Sequence, residues 1–124
     1  PGVAAAAVYA VPDPEGSDAV MAALELDDGA AFDPAAFATF LGAQPDLAPK
    51  WLPQFVRIVA HLPQTATGKI SKQPLRVARW STAAGDEVWW RPDRRDRDFV
   101  RFDADAERAL VRFFADRGRA SALI

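Results

Sequence analysis

Residues 62 to 76, LPQTATGKISKQPLR, bring together the side chains best suited to chemistry: Thr65, Thr67, Gly68, Lys69, Lys72 and Arg76. Lysine is a compact cation on a long flexible stem, suited to reaching across a gap toward phosphate or carboxylate oxygens. Gly68, directly before Lys69, permits backbone conformations and close approaches that a side chain would block. Thr65 and Thr67 can fix a loop through local hydrogen bonds. The chain holds 12 Arg and only 3 Lys, two of them in this segment. A lysine kept here suits a place where the planar guanidinium head does not fit or where a point charge is wanted. From the residues alone, an ordinary Thr/Gly surface turn followed by a lysine remains the alternative.

Such a loop needs elements to carry it. FVRIVAHL (55 to 62), rich in β-branched and apolar residues, reads as the strand that enters it. KQPLRVARW (72 to 80) reads as a short helix that leaves it, with Pro74 in the first turn, where a missing N–H costs little. Upstream, VAAAAVYAV (3 to 11) reads as a buried strand, with helix as the alternative because of its alanines. PDPEG breaks it, and DAVMAALEL (18 to 26) follows as a second strand in an antiparallel layout ending at the DDG turn. Asp33 as N-cap, Pro34 at the first helical position, Phe37, Phe40 and Leu41 at helical spacing and Gly42 as a stop define a helix between them.

The remainder changes in composition. GDEVWW and the sign-alternating RPDRRDRD lead to FVRF, then to DADAERALVRFFADRG, a second helix. Its signals are Asp103 as N-cap, an apolar face of Leu110, Val111, Phe113 and Phe114, and Gly118 as a stop. Trp89, Trp90, Phe99, Phe102, Phe113 and Phe114 are expected to pack this tail onto the sheet, with packing onto a further domain as the alternative. The charged run 91 to 98 reads as a solvated loop or edge. No internal repeat is visible.

The totals bound what the chain can be. With 124 residues one modest core is expected, burying roughly two-thirds of the unfolded surface. A net charge of −2 and a pI near 5.3 leave no electrostatic footprint for nucleic acid or acidic membranes. The absence of cysteine excludes disulfides and thiolate metal sites and suits a cytoplasmic location. No apolar run reaches the roughly 20 residues that span a bilayer. The chain starts at Pro1 and its only methionine is Met21, which leads us to expect a piece of something longer, or a processed or trimmed chain. Asp13, Glu15 and Asp18 lie close in sequence, but a turn explains them better than a metal site. His61, the only histidine, is expected to be structural or on the surface.

LPQTATGKISKQPLR resembles the C-terminal signature of adenylate-forming enzymes, in particular acyl-CoA synthetases, roughly L-P-x-T-x-T-G-K-x-x-[RK]-x-x-L-R. Leu62, Pro63, Thr65, Thr67, Gly68, Lys69, Lys72, Leu75 and Arg76 all match. VAAAAVYAVPDPEGSDAVMAALEL is similar to the family's strand, G-x-P-D turn and second strand, although Ser17-Asp18 stands where the family usually has Gly-Glu. LAPKWLPQFVRI and the Trp-rich tail look most like the fatty-acid and steroid carboxylate ligase branch.

The resemblance implies an α+β fold, a small sheet of three or slightly more strands with flanking helices, the mobile C-terminal domain of such enzymes. Residues 1 to 80 would form its core and 81 to 124 a helical extension packed on the same domain. It further implies an ATP-dependent acyl-CoA ligase, in which Lys69 assists acyl-adenylate formation and the domain then rotates for thioester formation with CoA. Gly68, Thr67 and Lys69 would bind the nucleotide, with Mg2+ held by a large N-terminal adenylation domain of the same protein. The acid would be a fatty or steroid acid, and the piece alone would be inactive. Lys72 and Arg76 are divided between solvated charge and interdomain contact. Two other readings stay open: a freestanding regulatory or complementing module for a separate adenylation protein, and a non-catalytic scaffold.

Overall fold

Alternation of inward and outward residues builds the sheet. In β1 (Val3–Pro12), Ala7, Tyr9 and Val11 are buried while Ala6, Val8 and Ala10 are exposed. β1 pairs antiparallel with β2 (Asp18–Leu26), with Tyr9 opposite Met21. β2 in turn pairs parallel with β3 (Phe55–Val59), with Met21 opposite Phe55. Parallel neighbours need a crossover, and α1 (Pro34–Gly42) lies within it. β4 (Glu87–Trp90) runs antiparallel to β3 and β5 (Val100–Arg101) antiparallel to β4, giving the order β1-β2-β3-β4-β5. This computed structural model describes residues 3–12, 18–43, 52–83, 85–92 and 98–118.

Helices cover both faces. The Asp33 carboxylate accepts from Ala36 N at 3.1 Å and starts α1, as its sequence signals require. α1 continues through Gly42 to a cap at Ala43, whose N–H reaches the Thr39 and Phe40 carbonyls, so the glycine does not act as the stop. Phe37 and Leu41 pack over Ala22, Leu24, Val56 and Phe99, whereas Phe40 is exposed. α3 (Ala104–Asp116) begins at Asp103, which accepts from Ala106 N at 2.9 Å. It turns Leu110 and Phe114 to the opposite sheet face and leaves Val111 exposed. That second layer also contains Tyr9, Met21, Phe55, Leu62, Leu75, Trp80, Val88 and Phe102.

The α+β architecture expected from the sequence, a small sheet of three or slightly more strands with flanking helices, is present with five strands. The tail contributes β4 and β5 as well as a helix, and Trp90, Phe102 and Phe114 join the core. β3 stops at Val59 rather than 62, because Leu62 N leaves the ladder to donate to Glu25 Oε1 at 2.8 Å. The helix expected over 72 to 80 is α2 (Gln73–Ala78), ended where Arg79 takes a positive φ of 52°. Residues 13 to 17, with Asp13, Glu15 and most of the PDPEG turn, lie outside the described residues, as do 93 to 97 of the charged run. Among the described residues no helix is long and apolar enough to cross a membrane.

Candidate functional site

The lysine loop hangs between two buried leucines. Leu62 at its entry and Leu75 in α2 each keep 4% of their surface exposed and share one core layer. Between them the chain forms a narrow hairpin closed by a Gln64–Ile70 bridge, with Ser71 N donating to Pro63 O at 2.8 Å. Thr65 organises the tip. Its N–H donates to Lys69 O at 2.7 Å, its carbonyl accepts from Gly68 N at 2.9 Å, and its Oγ1 accepts from Lys69 N at 3.2 Å. The Thr65 and Thr67 hydroxyls lie 3.1 Å apart. Threonine and glycine therefore serve the turn itself, by the local bonding that favours them there.

Gly68 sits at φ 86°, with open space around the position a Cβ would occupy. Substitution is therefore opposed by backbone strain alone. Gly68→Ala is expected to destabilise by roughly 1–2 kcal/mol, the left-handed penalty for a residue with a Cβ. Urea unfolding of the chain checks this; a variant with an unchanged midpoint would mean that the tip relaxes to another conformation.

From Gln64 to Ile70 every residue is exposed. The Lys69 ammonium makes no hydrogen bond or ion pair among the described residues. Lys72, at the N-cap of α2, makes no side-chain capping bond, and Arg76 occupies the last turn of α2; both are exposed and lie outside the hairpin closure. His61 is exposed, one residue before the buried Leu62. Asp18 is exposed at the start of β2, and no group of three or more His, Cys, Asp or Glu that could hold a metal ion occurs among the described residues. The arrangement presents, among the described residues, an unpaired ammonium on a tip locked by its own backbone, suited to anionic oxygens brought from outside the chain.

A second set of polar residues, which the sequence did not single out, gathers around the turn that follows α2. Arg57 on β3 is 2% exposed. Its Nη1 donates to Asp86 Oδ2 at 3.2 Å, and its Nη2 to the carbonyls of Arg79 at 3.1 Å and Ser81 at 2.6 Å. Burial pushes the neighbouring Tyr9 phenol up to about 12, against the opposing pull of the Arg57 charge. Glu107 on α3 accepts at Oε1 from Thr82 N at 2.8 Å and from Thr82 Oγ1 at 2.5 Å. The signal for Arg57 was present in FVRIV, where the arginine falls in phase with the inward Phe55 and Val59 rather than the opposite face. Glu107 carried none, since an acidic residue in a helix's first turn has a local explanation in the helix dipole.

A family model described as the AMP-binding enzyme C-terminal domain matches residues 1–69, ending on Lys69. The chain is 51% identical over 80 residues to a steroid-22-oyl-CoA synthetase of Rhodococcus jostii (strain RHA1), covering 64% of this chain and 14% of that protein. It is 49% identical over 83 residues to the medium/long-chain-fatty-acid–CoA ligase FadD17 of Mycobacterium marinum, covering 67% and 16%. The chain thus spans about one-sixth or less of the length of these relatives. Among solved structures it is similar to apo MatB from Rhodopseudomonas palustris, with a TM-score of 0.56, 37% identity, and coverage of 61% of this chain and 15% of that one.

Proposed function

This chain belongs to the family of AMP-binding enzyme C-terminal domains, and from that premise we propose that it is the small mobile domain of an ATP-dependent acyl-CoA ligase. Lys69 is its catalytic residue for the first half-reaction. A carboxylate oxygen attacks the α-phosphorus of ATP, the bond to the β-phosphate oxygen breaks, and pyrophosphate leaves. Negative charge builds on the oxygens around phosphorus during that attack. A cation already aimed at them, in a site closed to water, stabilises the transition state more than the ground state. In the second half-reaction CoA thiol displaces AMP from the acyl-adenylate, the thiol proton being lost and the carbonyl–phosphate oxygen bond broken. Rotation of the domain removes Lys69 for that step.

The observation that carries this reading is the Lys69 ammonium, exposed and unpaired among the described residues at the end of a backbone-locked hairpin. Gly68 and Thr67 contribute the shape of the tip that meets the nucleotide. The rest of the site, with the acyl pocket and any Mg2+ that accompanies ATP, belongs to a large N-terminal adenylation domain of the same polypeptide. Fatty and steroid acids are the substrate classes we assign, from the names of the two relatives. On this reading the 124-residue chain has no turnover of its own.

Pyrophosphate release by the full-length protein, measured with ATP across a panel of fatty and steroid carboxylic acids, tests the reading. Release with at least one acid, followed by CoA-dependent thioester formation, is expected. Full-length protein that releases no pyrophosphate with any acid would overturn it.

A further inference from the structure

α2 buries only Leu75, and the hairpin before it is exposed throughout. Packing along this stretch therefore does little to set its direction, and the direction must be fixed at the ends. The leading end is held by Leu62 and Glu25. The trailing end is the turn 79 to 82, where Arg79 adopts φ 52° and ψ −132°. A residue with a Cβ keeps such a conformation only where its surroundings over-determine it. Here they do. Arg57 binds the carbonyls on both sides of Trp80. The Trp80 ring is fully buried, 6.0 Å from Phe114 of α3 and 5.9 Å from Phe102. Glu107 takes both the N–H and the hydroxyl of Thr82. Asp103 already caps α3, so Glu107 is not needed there and reaches across instead. α3 lies outside the residues that the family model matches.

We propose that Arg57 and Glu107 are positioning residues for Lys69: by clamping the turn that ends α2, they fix the direction in which the hairpin presents its ammonium. This rests on the role given to Lys69 above. It adds that α3 serves the adenylation step although it stands apart from the loop. A brace of this kind acts only on the half-reaction that uses the lysine, whereas loss of general support would weaken both.

Glu107→Ala, Glu107→Gln and Lys69→Ala in the full-length protein separate these outcomes. Acyl-adenylate formation and thioester formation from supplied acyl-adenylate are measured for each, together with amide hydrogen exchange. Glu107→Ala is expected to lower kcat for adenylation roughly ten- to hundredfold, the scale of a misplaced catalytic group. Its KM values should stay within about twofold and its thioester step should be unchanged. Amides of Arg76, Arg79 and Thr82 should exchange faster while those of β2 do not. Glu107→Gln keeps the accepting oxygen and should recover most of the rate. If Glu107→Ala is poorly folded, Thr82→Val removes the hydroxyl donor alone and should move adenylation in the same direction by less. Equal loss in both half-reactions, or faster exchange spread evenly through the sheet, overturns the proposal. If Lys69→Ala is deficient and Glu107→Ala is not, the brace alone fails. If Lys69→Ala adenylates normally, the role of the lysine fails and the brace falls with it.

Discussion

Lys69→Ala in the full-length protein is expected to slow acyl-adenylate formation about a hundred- to a thousandfold, equivalent to roughly 3–4 kcal/mol of lost transition-state stabilisation. The size follows from where the charge acts. An ammonium without a partner among the described residues has no competing ion pair there to give up when it meets phosphate oxygens, and in a water-excluded site its attraction is far stronger than in bulk. Thioester formation from supplied acyl-adenylate should remain largely intact, because in the proposed cycle the domain rotates before that step. Lys69→Arg is expected to recover only part of the loss, since the wider planar head does not place its charge at the same point. Single-turnover measurement of each half-reaction checks this. A variant that loses both steps equally would assign the lysine to folding or general docking, and one that loses neither would remove it from the chemistry.

Trp80→Ala is expected to destabilise the chain by about 3–5 kcal/mol, the usual cost of emptying a large aromatic site. Domains of this size are stable by only about 5–15 kcal/mol. Trp80 is fully buried, stacks on Phe55 with centroids 6.2 Å apart, and donates from Nε1 to Pro12 O at 3.3 Å. Removing it opens a cavity between β1, β3 and α3 and leaves the Pro12 carbonyl without that donor. Urea denaturation followed by circular dichroism measures the change. Val77→Ala, at a residue 68% exposed on the neighbouring helix, is the control and should stay within about 0.5 kcal/mol. A Trp80→Ala shift as small as the control's would mean that the aromatic layer does not support the fold.

The parts of the fold legible in the sequence are those whose signals are local. Asp33 and Asp103 each cap a helix through a backbone N–H three residues on, and such a bond leaves a mark within one turn of sequence. β1 and β2 were legible for the same reason, as apolar runs separated by turn formers. β4 and β5 were not, because a strand of four residues and one of two take their register from their neighbours, β4 from β3 and β5 from β4, rather than from their own pattern. In the candidate site, the Thr–Gly–Lys turn was legible as a turn, and the family resemblance directed attention to Lys69. The closure at Gln64 and Ile70 and the clamp at residues 79 to 82 were not. Both depend on contacts that only the folded chain brings together, as when Arg57 reaches carbonyls more than twenty positions further along.

The sheet divides the apolar interior into two layers that face away from each other, Phe37 with Val56 and Phe99 on one side and Trp80 with Phe55 and Phe114 on the other. Energetic effects add when the altered side chains share no partners. Repacking under α1 can therefore be combined freely with changes near the lysine hairpin, each contributing as it does alone. Epistasis should be confined to substitutions made within a single layer.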